Sequence, residues 1–190
     1  MMTALLNSRR AAILDAAIKI FGRLGFKKTS MDDLAAAAGL SKQGVYLHFA
    51  SKDEIFVAAT EKYLEDGLAL VEEDLSRADA SLFERIMAAM DSWFGRHVAT
   101  FAPDAFDVIE VGNHLSPQTS DKYKAAFRTR LRKALADSPA FARADNVCTP
   151  AEVAHALFQI GLTWKEERLS RAEFMKKMKP CVRAITQLRE

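Results

Sequence analysis

Cysteine is almost missing from this sequence. Cys148 and Cys181 are its only two in 190 residues, they stand far apart, and no CxxC pattern occurs. That excludes a disulfide framework and fits a reduced, cytoplasmic compartment with both thiols free. No apolar run approaches the roughly 20 residues that a membrane-spanning helix needs. The start of the chain, MMTALLNSRR, lacks a basic stretch followed by an apolar one, so no signal peptide is expected. Strand-like alternation of apolar and polar residues is absent, as are internal repeats and low-complexity tracts. Catalytic signatures are missing too. There is no HExxH, no nucleophile elbow, no phosphate loop and no cluster with metal-ligand spacing, and His97, His114 and His155 stand in unrelated segments. These absences argue against an enzyme and against a bound metal or cofactor.

What remains is an ordinary globular composition with an uneven charge. Hydrophobic residues make up 49% and charged residues 27%, enough for one or two domains with a real core. The formal net charge is only +2, yet residues 1–52 carry eight Lys/Arg against three Asp, while the rest carries nineteen basic groups against twenty-two acidic ones. A basic head on a mildly acidic body suggests that the head meets a polyanion; a solvated charged face would look the same.

The pattern is helical throughout, so the predicted class is all-α. Helix starts are marked by Ser30-x-x-Asp33, Ser51-x-x-Glu54, Thr149-Pro150-x-Glu152 and Ser170-x-x-Glu173, and more weakly by Ser116-Pro117. A first helix is predicted near 9–24, with Ile13, Ala17, Ile20, Phe21 and Leu24 on one stripe and Gly25 ending it. A short helix follows near 31–38, a turn at Gly39, a third helix near 42–48, and a fourth from Lys52 into the seventies. Further stripes run through residues 82–94, 106–111, 123–135, 153–164 and 174–185. Pro180 is expected to kink the last helix, and SPAFARADNVC is the longest predicted loop.

Short helix, glycine turn, second short helix is the helix-turn-helix arrangement. On the second of these, written SKQGVYLHF from Ser41 to Phe49, a step of about 100° per residue puts Val45 and Phe49 on the inner face. Gln43 and Leu47 point outward, flanked by Gly44 and Tyr46, with Lys42 at the N-terminal edge. An amide, a phenol, an apolar side chain and a bare backbone position suit a DNA major groove. Lys can donate to guanine, Gln can pair with adenine, and Leu can touch a thymine methyl. Gly44 gives up about 1 kcal/mol of helix propensity relative to alanine, a loss that close approach of the backbone to DNA explains. Tyr46, His48 and Lys52 are placed to donate to phosphates. Each residue taken alone carries little; their joint arrangement carries the reading.

Residues 10–58 resemble the DNA-binding domain of the TetR family of bacterial transcriptional repressors. The resemblance rests on the ILDAA…F…GF…TS opening, the DLAAAAGLS turn, the VYLHF signature of the recognition helix and the SKDE start of the fourth helix. It implies an all-α fold of roughly nine helices. A three-helix DNA-binding domain over 1–52 precedes a helical effector-binding and dimerisation domain over 53–190. It implies that Tyr46, His48 and Lys52 meet phosphates, and that Ser41, Lys42, Gln43 and Gly44 sit where the family approaches DNA. It also implies a homodimer through the last two helices on a pseudo-palindromic double-stranded operator, and a small effector held between the middle helices. The long apolar stripes of Val153, Leu157, Phe158, Trp164, Phe174, Met178 and Val182 are the positions expected at a dimer interface.

The candidates for the effector site are Phe83, Met87, Met90, Trp93, Phe94, Phe106, Ile109 and Phe127. Soft Met and flat aromatics line adaptable pockets, and the lack of charge along this stripe favours an apolar or aromatic effector. Plain core packing would give the same stripe. His97 and His114 could add polar contacts, though surface or capping roles fit them as well. The expected activity is a repressor released from its operator by that effector; the alternative is a DNA-binding regulator controlled by a protein partner, or by nothing.

Overall fold

The computed structural model describes residues 2–102, 107–144, 147–165, 167 and 169–188, with side chains from residue 8 onward save those of 107, 109, 110 and 113. Among the described residues every regular element is helical. In order they are α1 (Met2–Leu24), α2 (Met31–Ala37), α3 (Lys42–Tyr46), α4 (Lys52–Ser76), α5 (Leu82–Met90), a π-helical stretch (Asp91–Gly95), α6 (Arg96–Thr100), α7 (Asp107–Leu115), α8 (Pro117–Ala136), α9 (Pro139–Arg143), α10 (Pro150–Trp164) and α11 (Arg171–Thr186). The expected count of about nine is met once α5, the π-helical stretch and α6, which abut without a break, are taken together and the short α9 is set aside.

The start signals work through hydrogen bonds at the helix ends. Ser30 with Asp33, Thr149 with Glu152 and Ser170 with Glu173 each form a reciprocal capping box, as the spacing predicts. A fourth box, Ser81 with Glu84, opens α5. At α4 the geometry departs from the expectation. Ser51 Oγ accepts the Glu54 N–H, but the Glu54 carboxylate reaches past Ser51 to the N–H of Ala50, at 2.7 Å. The stretch expected to be the longest loop contains α9, and Pro180 lies inside α11, which continues to Thr186.

The chain divides into two compact units. The first takes residues 1–65 together with 100–120; the second takes 66–99 and 121–190. A cut at 52/53 therefore misses what the first unit's core requires. That core holds Ile13, Ala17, Phe21, Leu34, Val45 and Phe49 from the first three helices, Ile55, Phe56 and Ala59 from α4, and Val108, Val111 and Leu115 packed against them from α7. Phe21, Phe26 and Phe56 pack with ring centroids 5.0–5.8 Å apart. The segment after α6 is bound to α1 backbone to backbone, with the Ala102 N–H donating to Gly22 O at 2.7 Å. A Cβ on Gly22 would stand 2.5 Å from the Thr100 carbonyl oxygen, so only glycine admits this approach.

The second unit is built around stacked and tilted rings. Trp93 lies on Phe127 at 5.2 Å, and Phe94 meets Phe127, Phe158 and Phe174 at 5.7–6.2 Å. Gly161 of α10 lets the Phe94 ring in; a Cβ there would be 2.4 Å from a ring carbon. Arg171 holds the π-helical stretch through two hydrogen bonds to Asp91, both 2.7 Å, and Ser92 donates to Asp74 at 2.6 Å. This core also swallows the stripes expected at a dimer interface. Val153, Leu157, Phe158, Phe174, Met178 and Val182 are all buried within the chain itself, and Trp164 is half-buried under Lys177. One helical unit of this size has room to hide these faces, which leaves only the opposite faces of α10 and α11 exposed.

Candidate nucleic-acid interface

The two short helices of the head are fixed by turns that only particular residues allow. Gly25 (φ 82°) ends α1 and Gly39 (φ 67°) turns the chain between α2 and α3, both in the left-handed region that favours glycine. Thr29, buried, ties the first turn down with its hydroxyl on Gly25 O at 2.6 Å. Ser41 then caps α3 by accepting the Gly44 N–H at 3.0 Å.

α3 spans five residues, two fewer than the periodicity suggests, but its faces are as the wheel places them. Val45 and Phe49 are buried. Lys42 and Gln43 are exposed, and so are Tyr46 (48%) and Leu47 (79%). Gly44 and His48 are half-buried. Large apolar or aromatic side chains exposed in this way are few: among the described residues the others are Leu70 and Val147. Two of the four are thus neighbours on one turn of α3. Lys42 is paired with Asp32 at 2.9 Å, and that hydrogen bond is the first cause holding its pKa above the usual lysine value, followed by the charge of Asp32. Both partners lie at the surface, where such a pair exchanges readily for another anion. A Cβ at Gly44 would press on Ser41 Oγ at 3.3 Å, so alanine there disturbs the cap before any DNA is present.

Lys52 departs most from the sequence reading. It is half-buried, and its Nζ donates to the backbone carbonyls of Phe26 (3.0 Å) and Thr29 (2.8 Å) while lying 4.2 Å from the Phe26 ring centroid. At least two of its three N–H groups hold the loop between α1 and α2. A second cation, Arg10, was not singled out by any motif. Its Nη1 donates to His48 O at 2.7 Å and its guanidinium lies 4.0 Å over the Phe49 ring. No spacing signal links two residues 38 positions apart, so only the packed structure reveals the pair.

The effector candidates lie elsewhere. Phe83, Met90, Phe94 and Phe127 are buried in the second unit, and Met87 and Trp93 are half-buried there. Phe94, Phe127 and Trp93 are accounted for by ring packing. Phe106 and the side chain of Ile109 lie outside the described residues. His114 and His155 are exposed. The His97 imidazole is different: burial, then the charges of Lys165 and Arg96, push its pKa down from 6.5 to about 3. It is half-buried in the second unit, and the lowered pKa keeps it neutral.

Residues 13–59 match the family model described as bacterial regulatory proteins, tetR family. Over 106 residues the chain is 37% identical to the HTH-type transcriptional regulator YfiR of Bacillus subtilis, a match covering 54% of this chain and 51% of that protein. It is 32% identical over 88 residues to the HTH-type transcriptional activator FasR of Mycolicibacterium smegmatis, covering 46% of this chain and 40% of FasR. The chain thus spans about half or less of the length of these curated relatives. In three dimensions it is similar to the reduced form of E. coli NemR, with a TM-score of 0.72 at 20% identity over 93% of this chain and 97% of that one. A TetR-family transcriptional regulator from Rhodococcus sp. is similar with a TM-score of 0.68 at 17% identity, over 95% of this chain and 99% of that one. At such identities the likeness is one of fold.

Proposed function

We propose, from the match of residues 13–59 to the tetR family of bacterial regulatory proteins, that the chain is a sequence-specific DNA-binding transcriptional regulator whose α3 reads the major groove. The observation that carries this reading is the outer face of α3. Tyr46 and Leu47 stand exposed beside Gln43, while Val45 and Phe49 anchor the same turn in the core. Two bulky side chains left in water by so short a helix make physical sense if a partner covers them. A groove edged by thymine methyls, base acceptors and phosphates matches that chemistry. Lys42, Gln43, Gly44 and Leu47 approach bases; Ser41, Tyr46 and His48 face the backbone. Lys52 supports the loop from within and has at most one N–H left for a phosphate. Selection from a random DNA library tests the reading: enrichment of a pseudo-palindrome is expected, with half-sites about one helical turn apart. No enrichment over random sequence refutes it.

Two half-sites require two heads. A homodimer uses the outer faces of α10 and α11, where His155, Gln159 and Thr163, and Ala172, Lys176, Lys179, Pro180 and Arg183, remain exposed. Light scattering showing a monomer at micromolar concentration refutes it. Control by a small apolar or aromatic effector in the second unit is the reading that the Met and aromatic stripe supports. The close packing of Trp93, Phe94, Phe127 and Phe158 favours a second reading, in which that unit is a sealed core and control comes from a protein partner or is lacking. A thermal-shift screen with aromatic and aliphatic compounds separates them: a hit that also weakens operator binding supports the effector. FasR is described as an activator, so a promoter–reporter assay decides whether operator occupancy represses or activates here.

A further inference from the structure

We propose that Arg10 is a positioning residue for DNA reading: it fixes the C-terminal end of α3 from the neighbouring α1, and does not itself grip DNA. The inference rests on the DNA-binding role of α3 and adds what holds that helix in its reading pose. A helix of five residues has no stability of its own. Its N-terminal end is held by the Ser41 cap. At the other end Leu47 N–H donates to Gln43 O, and the His48 and Phe49 N–H groups both donate to Val45 O, at 2.9–3.2 Å. The carbonyl of His48 lies just beyond these bonds, and it accepts Arg10 Nη1 at 2.7 Å. A cation at this end also answers the negative end of the helix dipole.

Three further contacts make the link a clamp rather than a single bond. The guanidinium lies 4.0 Å over the ring of Phe49, a buried residue of the core, so the arginine packs against the same turn that it bonds. Glu54 of α4 stands 3.8 Å from the other Arg10 nitrogen. Its second carboxylate oxygen accepts the Ala50 N–H at 2.7 Å. The turn His48–Phe49–Ala50 is thus held from α1 by Arg10 and from α4 by Glu54, and the two holders face each other. Tilt or fraying of α3 moves Gln43 and Leu47 relative to the groove, so loss of the clamp degrades reading before it degrades attraction. Phosphate attraction depends on the number of cations that contact the duplex, which the clamp leaves unchanged.

The test uses the full chain with Arg10→Ala, Arg10→Lys and, as a charge control, Arg9→Ala, the last being the adjacent exposed arginine. Hydrogen exchange without DNA comes first. Arg10→Ala is expected to speed exchange at residues 47–50 by about tenfold, the loss of one charged hydrogen bond, while residues 13–21 keep their protection. Titration of the selected operator and of random DNA over a salt series comes second. Operator affinity is expected to fall about tenfold, with random-DNA affinity and both salt slopes unchanged; Arg10→Lys, which keeps the charge, leaves the salt slopes at the wild-type value under either reading and recovers the operator affinity only partly. The proposal is overturned if Arg10→Ala leaves exchange at 47–50 unchanged. It is equally overturned if both affinities fall in parallel and the salt slope drops by about one per subunit, which marks a phosphate contact. If Arg10→Ala fails to fold, Arg10→Lys carries the same comparison, and full operator affinity with unchanged exchange in that variant overturns the clamp. If the wild-type protein selects no operator, the DNA-binding reading fails and the positioning role with it; faster exchange at 47–50 would then leave a structural clamp only.

Discussion

Replacing Lys52 with alanine should first weaken the fold of the head and only second its hold on DNA. The side chain makes two hydrogen bonds from a charged donor, at 3.0 Å to Phe26 O and 2.8 Å to Thr29 O, and lies 4.2 Å from the Phe26 ring centroid. Hydrogen bonds of this kind contribute about 1.5–3 kcal/mol each, and the ring contact about 0.5–1 kcal/mol. In the variant both carbonyls can turn to water, which recovers part of the loss, so the net cost is about 2–3 kcal/mol. For a unit of this size that lowers the midpoint of thermal unfolding by about 10–15 °C. Both tryptophans, Trp93 and Trp164, belong to the second unit, so their fluorescence is the wrong probe for this change. Hydrogen exchange over residues 26–34, with far-UV circular dichroism during heating, is the right one. Lys52→Gln, which keeps an uncharged donor on a side chain one atom shorter, should recover at most part of the protection. Unchanged exchange at 26–34 in Lys52→Ala, together with a salt slope for DNA lowered by about one counterion per subunit, would refute the argument and return Lys52 to the phosphates.

Gln43→Ala should leave stability and salt slope alone, cost roughly 1–3 kcal/mol at the selected operator and relax preference at one base pair per half-site; parallel loss on operator and random DNA in binding titrations contradicts this. Gly161→Ala should destabilise the second unit by about 3 kcal/mol, because the new methyl would stand 2.4–2.8 Å from three atoms of a Phe94 ring already enclosed by Phe127, Phe158 and Phe174; the urea midpoint read by tryptophan fluorescence measures it. His97 gives the second unit an acid sensitivity. Its folded pKa is held down from 6.5 to about 3, so between those values the unfolded chain binds a proton that the folded chain refuses. Stability is therefore full above the unfolded value and falls as pH drops below it, by up to about 1.4 kcal/mol per pH unit. Urea titrations from pH 7 to 4 should show that slope in the wild type and a shallower one in His97→Gln.

Much of this protein is local and so was readable from the chain. A Ser or Thr three residues ahead of an acidic residue caps its own helix wherever it occurs, and the pairs at Ser30, Thr149 and Ser170 do so. Ser81 with Glu84 carries the same signal and could have been read with them. The inward turn of Val45 and Phe49, and the outward turn of Gln43 and Leu47, follow from a fixed angle per residue, which needs no knowledge of the rest of the fold. Periodicity also marks which residues seek cover. It cannot say what covers them. The stripes of α10 and α11 could have met a second copy, yet they are enclosed by the chain's own second unit, while α7, distant in sequence, completes the core of the first. The charged residues show the same division. Lys52 and Arg10 read in the sequence as two members of a basic head. Only packing brings the carbonyls of Phe26, Thr29 and His48 within 3.0 Å of them. Backbone carbonyls have no identity in a sequence, so a cation committed to one can be recognised only after the chain has folded around it.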